Sequence, residues 1–322
     1  DSTQTMLSIR GVDVPGFLFE LTNAITVSGL SIERMIIETK GTQVSDTLFV
    51  ADPKRHRELD EQQRNRLRAT IALVKHFTHL LPHSPNPEAA LVHFRGFLGN
   101  LFDQADWIDQ LETLRQPQVL AAVAKLLGFS DFLWEDFLRL QHENLFPVIT
   151  DLPGLQKPLT RKELAAEICE LLEANHSQTP TELLNAFKDR AMMRVDMRHI
   201  LGLETRFGTF SRELTAVAEA IVEAAVNFAC MDLEEKYGRP LRPDGNPASL
   251  SVVALGKCGG RELGYASDIE LMFLFDCEGT TSGPKKIANS DFYQRLVKQF
   301  QRTIFAREKK IFEIDLRLRP YG

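Results

Sequence analysis

The chain opens with short alternation. MLSIR (Met6–Arg10) alternates apolar and polar positions as a strand does, and GVDVPG (Gly11–Gly16) follows as a tight turn. Phe17, Leu21 and Ile25 then recur at helical spacing, with Gly29 as the stop. Ser31–Thr39 and Val44–Ala51 are β-rich stretches about Gly41, which predicts a hairpin. Leu59–Val74 returns to helical spacing, and Phe77–Leu81 reads as a closing strand. The order βαββαβ predicts a ferredoxin-like, split βαβ unit over residues 1–81.

PHSPNP (Pro82–Pro87) reads as a linker, because three prolines cannot sit in a continuous helix. From Glu88 to Ile149 the spacing is helical throughout, with Leu91, Phe94, Leu98 and Leu101 on one buried face. Trp107, Phe129, Phe132, Trp134 and Phe137 read as core rather than as a base-stacking platform, which needs interleaved basic residues. Capping boxes at Thr160–Glu163 and Thr179–Glu182 open two further helices. The second, from Thr181 to Leu201, carries Arg190, Arg194 and Arg198 as a stripe; this suits either solvated arginines paired with acids or a contact with phosphates. An alanine-rich helix from Arg212 to Lys236 buries Leu214, Val217, Ile221, Ala225 and Phe228 and stops at Gly238. The helical region therefore spans 88–237.

The last region, 238–322, changes character. Ser251–Leu255 is an apolar strand, Gly256–Gly260 a glycine-rich turn, and a second strand opens with Asp268 and Glu270 before running apolar from Leu271 to Phe275. A run apolar on both faces predicts a central, covered strand. Asp268 and Glu270 share one face of it, and a pair of acids there has no packing reason. Asp291–Ala306 is an amphipathic helix with Phe292, Leu296, Phe300 and Ile304 inward. Beyond it, FEIDLRLRP (Phe312–Pro320) places Glu313, Asp315, Arg317 and Arg319 on one face of a strand. The fold class expected is α+β.

Composition narrows the function classes. A charge of −6 and a pI near 5.8 argue against dominant nucleic-acid binding. No uninterrupted apolar run approaches the ~20 residues of a membrane span. The four cysteines lack metal spacing and read as reduced thiols of a cytoplasmic protein. A start at Asp1 rather than Met, and an end at Gly322 just after a functional-looking strand, read as a fragment truncated at its C-terminus.

Like charges one residue apart repel, and a divalent cation relieves that repulsion. Oxygen-only ligands suit Mg²⁺ or Mn²⁺, which also bridge substrate phosphates. Asp268, Glu270 and Asp315 are the candidate metal ligands and catalytic carboxylates, with Glu313 the rival for the third place. Gly256, Gly259 and Gly260 would let backbone approach the phosphates of a nucleoside triphosphate, with Lys257, Arg261 and Ser267 as side-chain donors. The turn has neither Walker nor dinucleotide-fingerprint spacing, so it gains meaning only beside the acids.

Two resemblances follow from these residues. GVDVPGFLFELTNAITVSGLSIERMIIETKGTQVSDTLFVAD resembles an ACT domain of the kind found in nitrogen-signalling nucleotidyltransferases. That implies an amino-acid effector such as glutamine at Asp13, Val14, Pro15, Gly16, Phe17 and Leu18; a turn with Asp13 as a helix cap explains the same composition. From about residue 86 onward, ALGKCGGRELGYASDIELMFLFD and FEIDLRLRPYG are similar to the nucleotidyltransferase core of the glutamine synthetase adenylyltransferase family.

The second resemblance implies a polymerase-β-like fold whose triad falls on Asp268, Glu270 and Asp315. It implies ATP as substrate and a glutamine synthetase tyrosine as AMP acceptor. Glu270 departs from the family's SDxDL pattern, which puts metal geometry in question, and GRELGY sits nearer the adenylylating half than the deadenylylating one. Uridylyltransfer to a PII signal protein is the rival activity; DLRLRPYG and the lack of an HD-type His-Asp pair stand against it. An inert ligand-binding module is the third reading.

Overall fold

The computed structural model describes residues 4–12, 17–41, 43–53, 58–129, 148–149, 151, 153–174, 177–265, 267–306 and 312–316. The chain divides into two compact units, Asp1–Leu152 and Pro153–Gly322.

In the first unit, β1 (Thr5–Val12), α1 (Phe17–Val27), β2 (Ser31–Ile36), β3 (Thr39–Lys40) and β4 (Gln43–Ala51) precede the long α2 (Glu61–Leu80). The sheet order is β1-β4-β2, with β3 pairing β4 across the Gly41 turn. Both β1 and β2 run antiparallel to β4, so they are parallel to each other with one strand slot between them. This is the split βαβ that the periodicity predicts. Leu21, Ile25, Leu48, Val50, Leu59 and Leu67 form its core.

The expected closing strand does not form. Phe77–Leu80 complete α2, and Leu81–His83 add one 3-10 turn. Phe77 has a reason to remain helical: its ring stacks on Phe94 with centroids 3.8 Å apart. That ring belongs to α3 (Pro87–Asp103), which opens directly after the proline segment with Asn86 accepting from Ala89 N. α4 (Trp107–Leu114) and α5 (Pro117–Leu127) follow. Phe132, Trp134 and Phe137 lie outside the described residues.

In the second unit α6 (Arg161–Ala174), α7 (Pro180–Ile200) and α8 (Phe207–Tyr237) pack together. Both expected capping boxes form. Thr160 Oγ1 and N donate to the Glu163 carboxylate at 2.8 Å, and Thr179 and Glu182 repeat the exchange. α8 is long and apolar enough by composition to cross a membrane, yet its apolar face packs on α6, α7 and a later helix.

The arginine stripe of α7 is only partly solvated: Arg190 and Arg194 are half-buried, and Arg198 lies inside. Arg198 is 3% exposed, pairs with Glu213 of α8 at 2.8 Å, and donates to the Leu155 carbonyl. Arg194 donates to the carbonyls of Gly154 and Lys157. These guanidiniums satisfy carbonyls in and just after a short 3-10 turn, Gly154–Gln156, that packs on α7, and Arg190 lies over the Phe187 ring.

Next come β5 (Pro240–Leu241), β6 (Leu250–Ala254), a single helical turn α9 (Gly256–Gly259), β7 (Ile269–Phe275), β8 (Thr280–Thr281), α10 (Asn289–Thr303) and β9 (Ile314–Asp315). The three-stranded sheet has the order β6-β7-β9, antiparallel then parallel. Its helix side is covered: Phe273 meets Phe300, Phe275 stacks on Tyr293, and Ala229, Leu233, Phe292 and Leu296 complete the cluster. β7 is central, but it is not covered on both faces as expected. Leu274 is 47% exposed and Met272 half-buried, so the other face is open among the described residues.

Two predictions follow from the helical packing. Removing one member of the Arg198–Glu213 pair strands the other charge in the interior. Glu213→Ala should therefore cost about 3–5 kcal/mol in urea unfolding, and the Arg198→Met, Glu213→Leu double variant distinctly less. The second concerns Glu163, whose carboxyl is lowered from 4.5 to about 2, first by Lys157 and then by Thr160. A depressed carboxyl contributes stability above its unfolded value and loses it as pH falls through the folded one. The Thr160 amide resonance should hold its place at pH values just below 4.5 and shift only as pH approaches 2.

Candidate functional site

The open face of the β6-β7-β9 sheet is where the predicted acids stand. Ile269 pairs with Ile314 and Glu270 with Asp315, in register. Paired residues of neighbouring strands project to the same side, so Glu270 and Asp315 share the open face while both isoleucines turn toward the helices. The ladder continues one rung back: Ile269 N donates to Glu313 O at 2.8 Å, and Phe312 N to Ser267 O at 3.0 Å. Asp268 therefore sits one rung before Glu270 on the same side, exposed, with Glu313 beside it on the neighbouring strand.

The glycine turn abuts this face. Leu255 N donates to Glu270 O at 2.9 Å, which locks the start of the turn to β7. A Cβ on Gly256 would lie 2.1 Å from Glu270 Oε2, and Gly256 has a φ of +51°. The carboxylate and the turn are thus in contact, and only glycine suits that position. Gly259 is required for a different reason, since a Cβ there would meet the Ala254 carbonyl at 2.5 Å. Gly260 differs from both: its φ is ordinary, and a Cβ would find nothing nearer than 3.5 Å. Nothing within the described chain demands glycine at 260.

The turn is one turn of helix rather than an open loop. Gly259, Gly260, Arg261 and Glu262 donate their N–H groups back to Leu255, Gly256, Cys258 and Lys257. As at any helix start, the first N–H groups of the turn have no partner within it. Lys257 is exposed beside them. Burial, then the charge of Glu219, pushes the Cys258 thiol up to about 11, so it is an inert packing group.

The two other predicted donors are already engaged. Arg261 Nη2 donates to Glu219 Oε1 of α8 at 3.1 Å, and Arg261 adopts a left-handed φ of 57°. Ser267 is buried and its hydroxyl accepts from Gly264 N at 2.9 Å, closing the short turn before Asp268. Arg317 and Arg319 lie outside the described residues.

For a divalent cation the donor set fits: Asp268, Glu270 and Asp315 offer only carboxylate oxygens, the ligands a hard cation takes. As the side chains stand, no three His, Cys, Asp or Glu groups among the described residues gather tightly enough to hold an ion.

Periodicity alone did not single out three neighbours. Tyr265, between the glycine turn and Asp268, packs on Phe210 and His199 with centroids 4.8 and 6.1 Å away. Burial, then the charge of Asp196, raises its phenol above the usual range. Glu219 reaches the turn from α8. Lys188 of α7 is fully buried beside Phe312. The available signal was a charge inside an apolar stripe: Leu184, Phe187, Ala191 and Val195 share their face of α7 with Lys188.

A cleft of about 460 Å³ lies on the helix side of the sheet, between α8 and β6, floored by Val252, Ala254 and Leu271. In the first unit, Asp13, Val14, Pro15 and Gly16 lie outside the described residues, Phe17 opens α1, and Leu18 is exposed. A groove of about 690 Å³ there lies by the start of β1 and α2, along Thr5, Arg64 and Ile71.

Known proteins are similar in sequence across the second unit. Residues 120–322 match the family model described as glutamate-ammonia ligase adenylyltransferase. The chain is similar to the bifunctional glutamine synthetase adenylyltransferase/adenylyl-removing enzymes of Shewanella loihica (32% identical, covering 67% of this chain and 22% of that protein) and Haemophilus ducreyi (32%, covering 66% and 23%). The enzyme of the same name from Mannheimia succiniciproducens is 33% identical over 65% of this chain and 22% of its own length. The chain thus spans about a fifth of the length of these relatives. With the family model matched across the whole carboxylate sheet, the chain belongs to the glutamate-ammonia ligase adenylyltransferase family of enzymes.

Proposed function

We propose that the second unit transfers AMP from ATP to, or removes it from, a tyrosine of glutamine synthetase, and so regulates nitrogen assimilation. The observation that carries this reading is the in-register pairing of Glu270 with Asp315, on an open face in contact with the glycine turn. The printed names of the relatives, glutamine synthetase adenylyltransferase and adenylyl-removing enzyme, supply the substrate class.

In this reading Asp268, Glu270 and Asp315 hold Mg²⁺. When bound, the ion neutralises phosphate charge and lowers the pKa of the attacking hydroxyl. The first amides of the glycine turn and the Lys257 ammonium orient the triphosphate beside the acids. Gly260 keeps the approach clear of side-chain atoms, which accounts for a glycine that packing does not require. Glu219 keeps Arg261 against α8, so Arg261 shapes the turn.

The first unit, with its split βαβ sheet, acts in this proposal as an ACT-type sensor of an amino acid such as glutamine around residues 13–18. A PII signal protein is a candidate partner of the whole protein. The free thiols Cys169, Cys230, Cys258 and Cys277 suit a cytoplasmic setting.

Radiolabelled ATP with purified glutamine synthetase tests the reading directly, with UTP and PII as the control pair. Label on glutamine synthetase is the expected result. Label from UTP on PII would replace the reading with uridylyltransfer, and glutamine binding without any transfer would leave a regulatory module. Asp268→Asn should lower turnover by about a hundredfold or more while the circular dichroism spectrum stays unchanged. Gly260→Ala should leave stability nearly unaltered and raise KM for ATP roughly tenfold, a loss of about 1.4 kcal/mol of backbone–phosphate contact. An unchanged KM would remove the turn from the nucleotide site.

A further inference from the structure

We propose that Lys188 and Asn185 of α7 are positioning residues for the carboxylate strand: they fix where β9 enters the sheet, and hence where Asp315 stands beside Glu270. This rests on the carboxylate site of the preceding section, although the contacts that carry it are independent of any ligand.

Lys188 is 1% exposed, in the middle of an apolar stripe. A buried ammonium costs free energy unless its donors are used. It donates to the Phe305 carbonyl and to Asn185 Oδ1 at 3.3 Å, and lies 3.6 Å from Asp189. It also stands 5.5 Å from the centre of the Phe312 ring, a cation–π contact in a desolvated place.

Asn185 grips the same region through its backbone. Its Nδ2 donates to the Thr303 carbonyl at 2.8 Å, and Phe305 N donates to its Oδ1 at 2.9 Å. Thr303 ends α10 and Phe312 immediately precedes β9, so one ammonium and one carboxamide touch both ends of the connection between them.

That connection needs an external hold. β9 is only two residues long, and a ladder this short specifies its register weakly. Phe312 is buried with a left-handed φ of 60°, a strained conformation for a non-glycine residue that persists where its surroundings impose it. Its N–H makes the first ladder bond, to Ser267 O, and the next, from Ile269 to Glu313, sets the Glu270–Asp315 rung. A slip of one residue would turn Asp315 toward the helices and away from Glu270. The clamp on Phe305 and Phe312 prevents that slip.

The test uses Lys188→Met and Asn185→Leu in the intact chain, with Met193→Ala as control. Met193 is fully buried in the same helix and takes part in none of the hydrogen bonds or the cation–π contact of the clamp, so it reports generic loss of packing. Hydrogen exchange should accelerate at residues 312–316 and at Ile269, whose N–H donates to Glu313 O, in both clamp variants, and stay unchanged across β6 and residues 272–275 of β7. Mn²⁺ affinity, read by electron paramagnetic resonance titration, should fall about tenfold or more, the usual effect of removing a group that orients a ligand. Met193→Ala should leave both readouts at their original values. Exchange at 312–316 that is unaltered in the clamp variants, or matched by the control, overturns the proposal. Should the unaltered protein bind no Mn²⁺, the metal chemistry proposed above falls, and faster exchange at 312–316 in Lys188→Met and Asn185→Leu still upholds the clamp.

Discussion

Parallel pairing of two short β segments is the constraint on which the second unit depends. Glu270 and Asp315 come from stretches on either side of α10, and the β7–β9 ladder makes them neighbours. The same ladder decides what lies behind them. Ile269 and Ile314 occupy the alternate positions and face the helices, so a single register places two acids outward and two β-branched residues inward. The Glu270 carboxylate then rests against Gly256, so the acids and the glycine turn form one surface.

The helices before the sheet act as its mount through polar contacts, one buried and one at the surface. Arg198 and Glu213 join α7 to α8 while satisfying the carbonyl of Leu155, and Glu219 reaches from α8 to hold Arg261 at the end of the glycine turn. Tyr265 packs against Phe210 and His199 just before Asp268. Apolar packing alone would permit these helices to slide, because dispersion is non-directional. Charged hydrogen bonds with fixed geometry admit one arrangement, at the cost of desolvating each ion.

Much of this architecture was readable in the pattern of residues. The split βαβ order, both capping boxes, the amphipathic α10 and the strand–turn–strand around Gly256 follow from periodicity and punctuation, which are local properties. The misreadings have a common cause. Phe77–Leu81 is apolar enough for a strand, yet Phe77 stacks on Phe94 and the helix runs on. The α7 arginines carry the spacing of a solvated stripe, yet Leu155 and Glu213 draw Arg198 inside. In each case a partner far along the chain outweighed the local preference, and no window of sequence contains that partner.

The order of residues alone therefore supplied the candidates: acidic side chains in an SDIE and EID pattern, glycines where backbone comes close, and a net acidic composition that argues against dominant nucleic-acid binding. Residue type and spacing are written in the chain, and chemical class follows from type. Three-dimensional packing decided which of those groups meet. It set Glu270 beside Asp315, tied Arg261 to Glu219, left one face of β7 open among the described residues, and buried Lys188 against Phe312. Proximity across long separations comes from strand register and helix packing, and those energies are sums over contacts that exist only once the chain has folded.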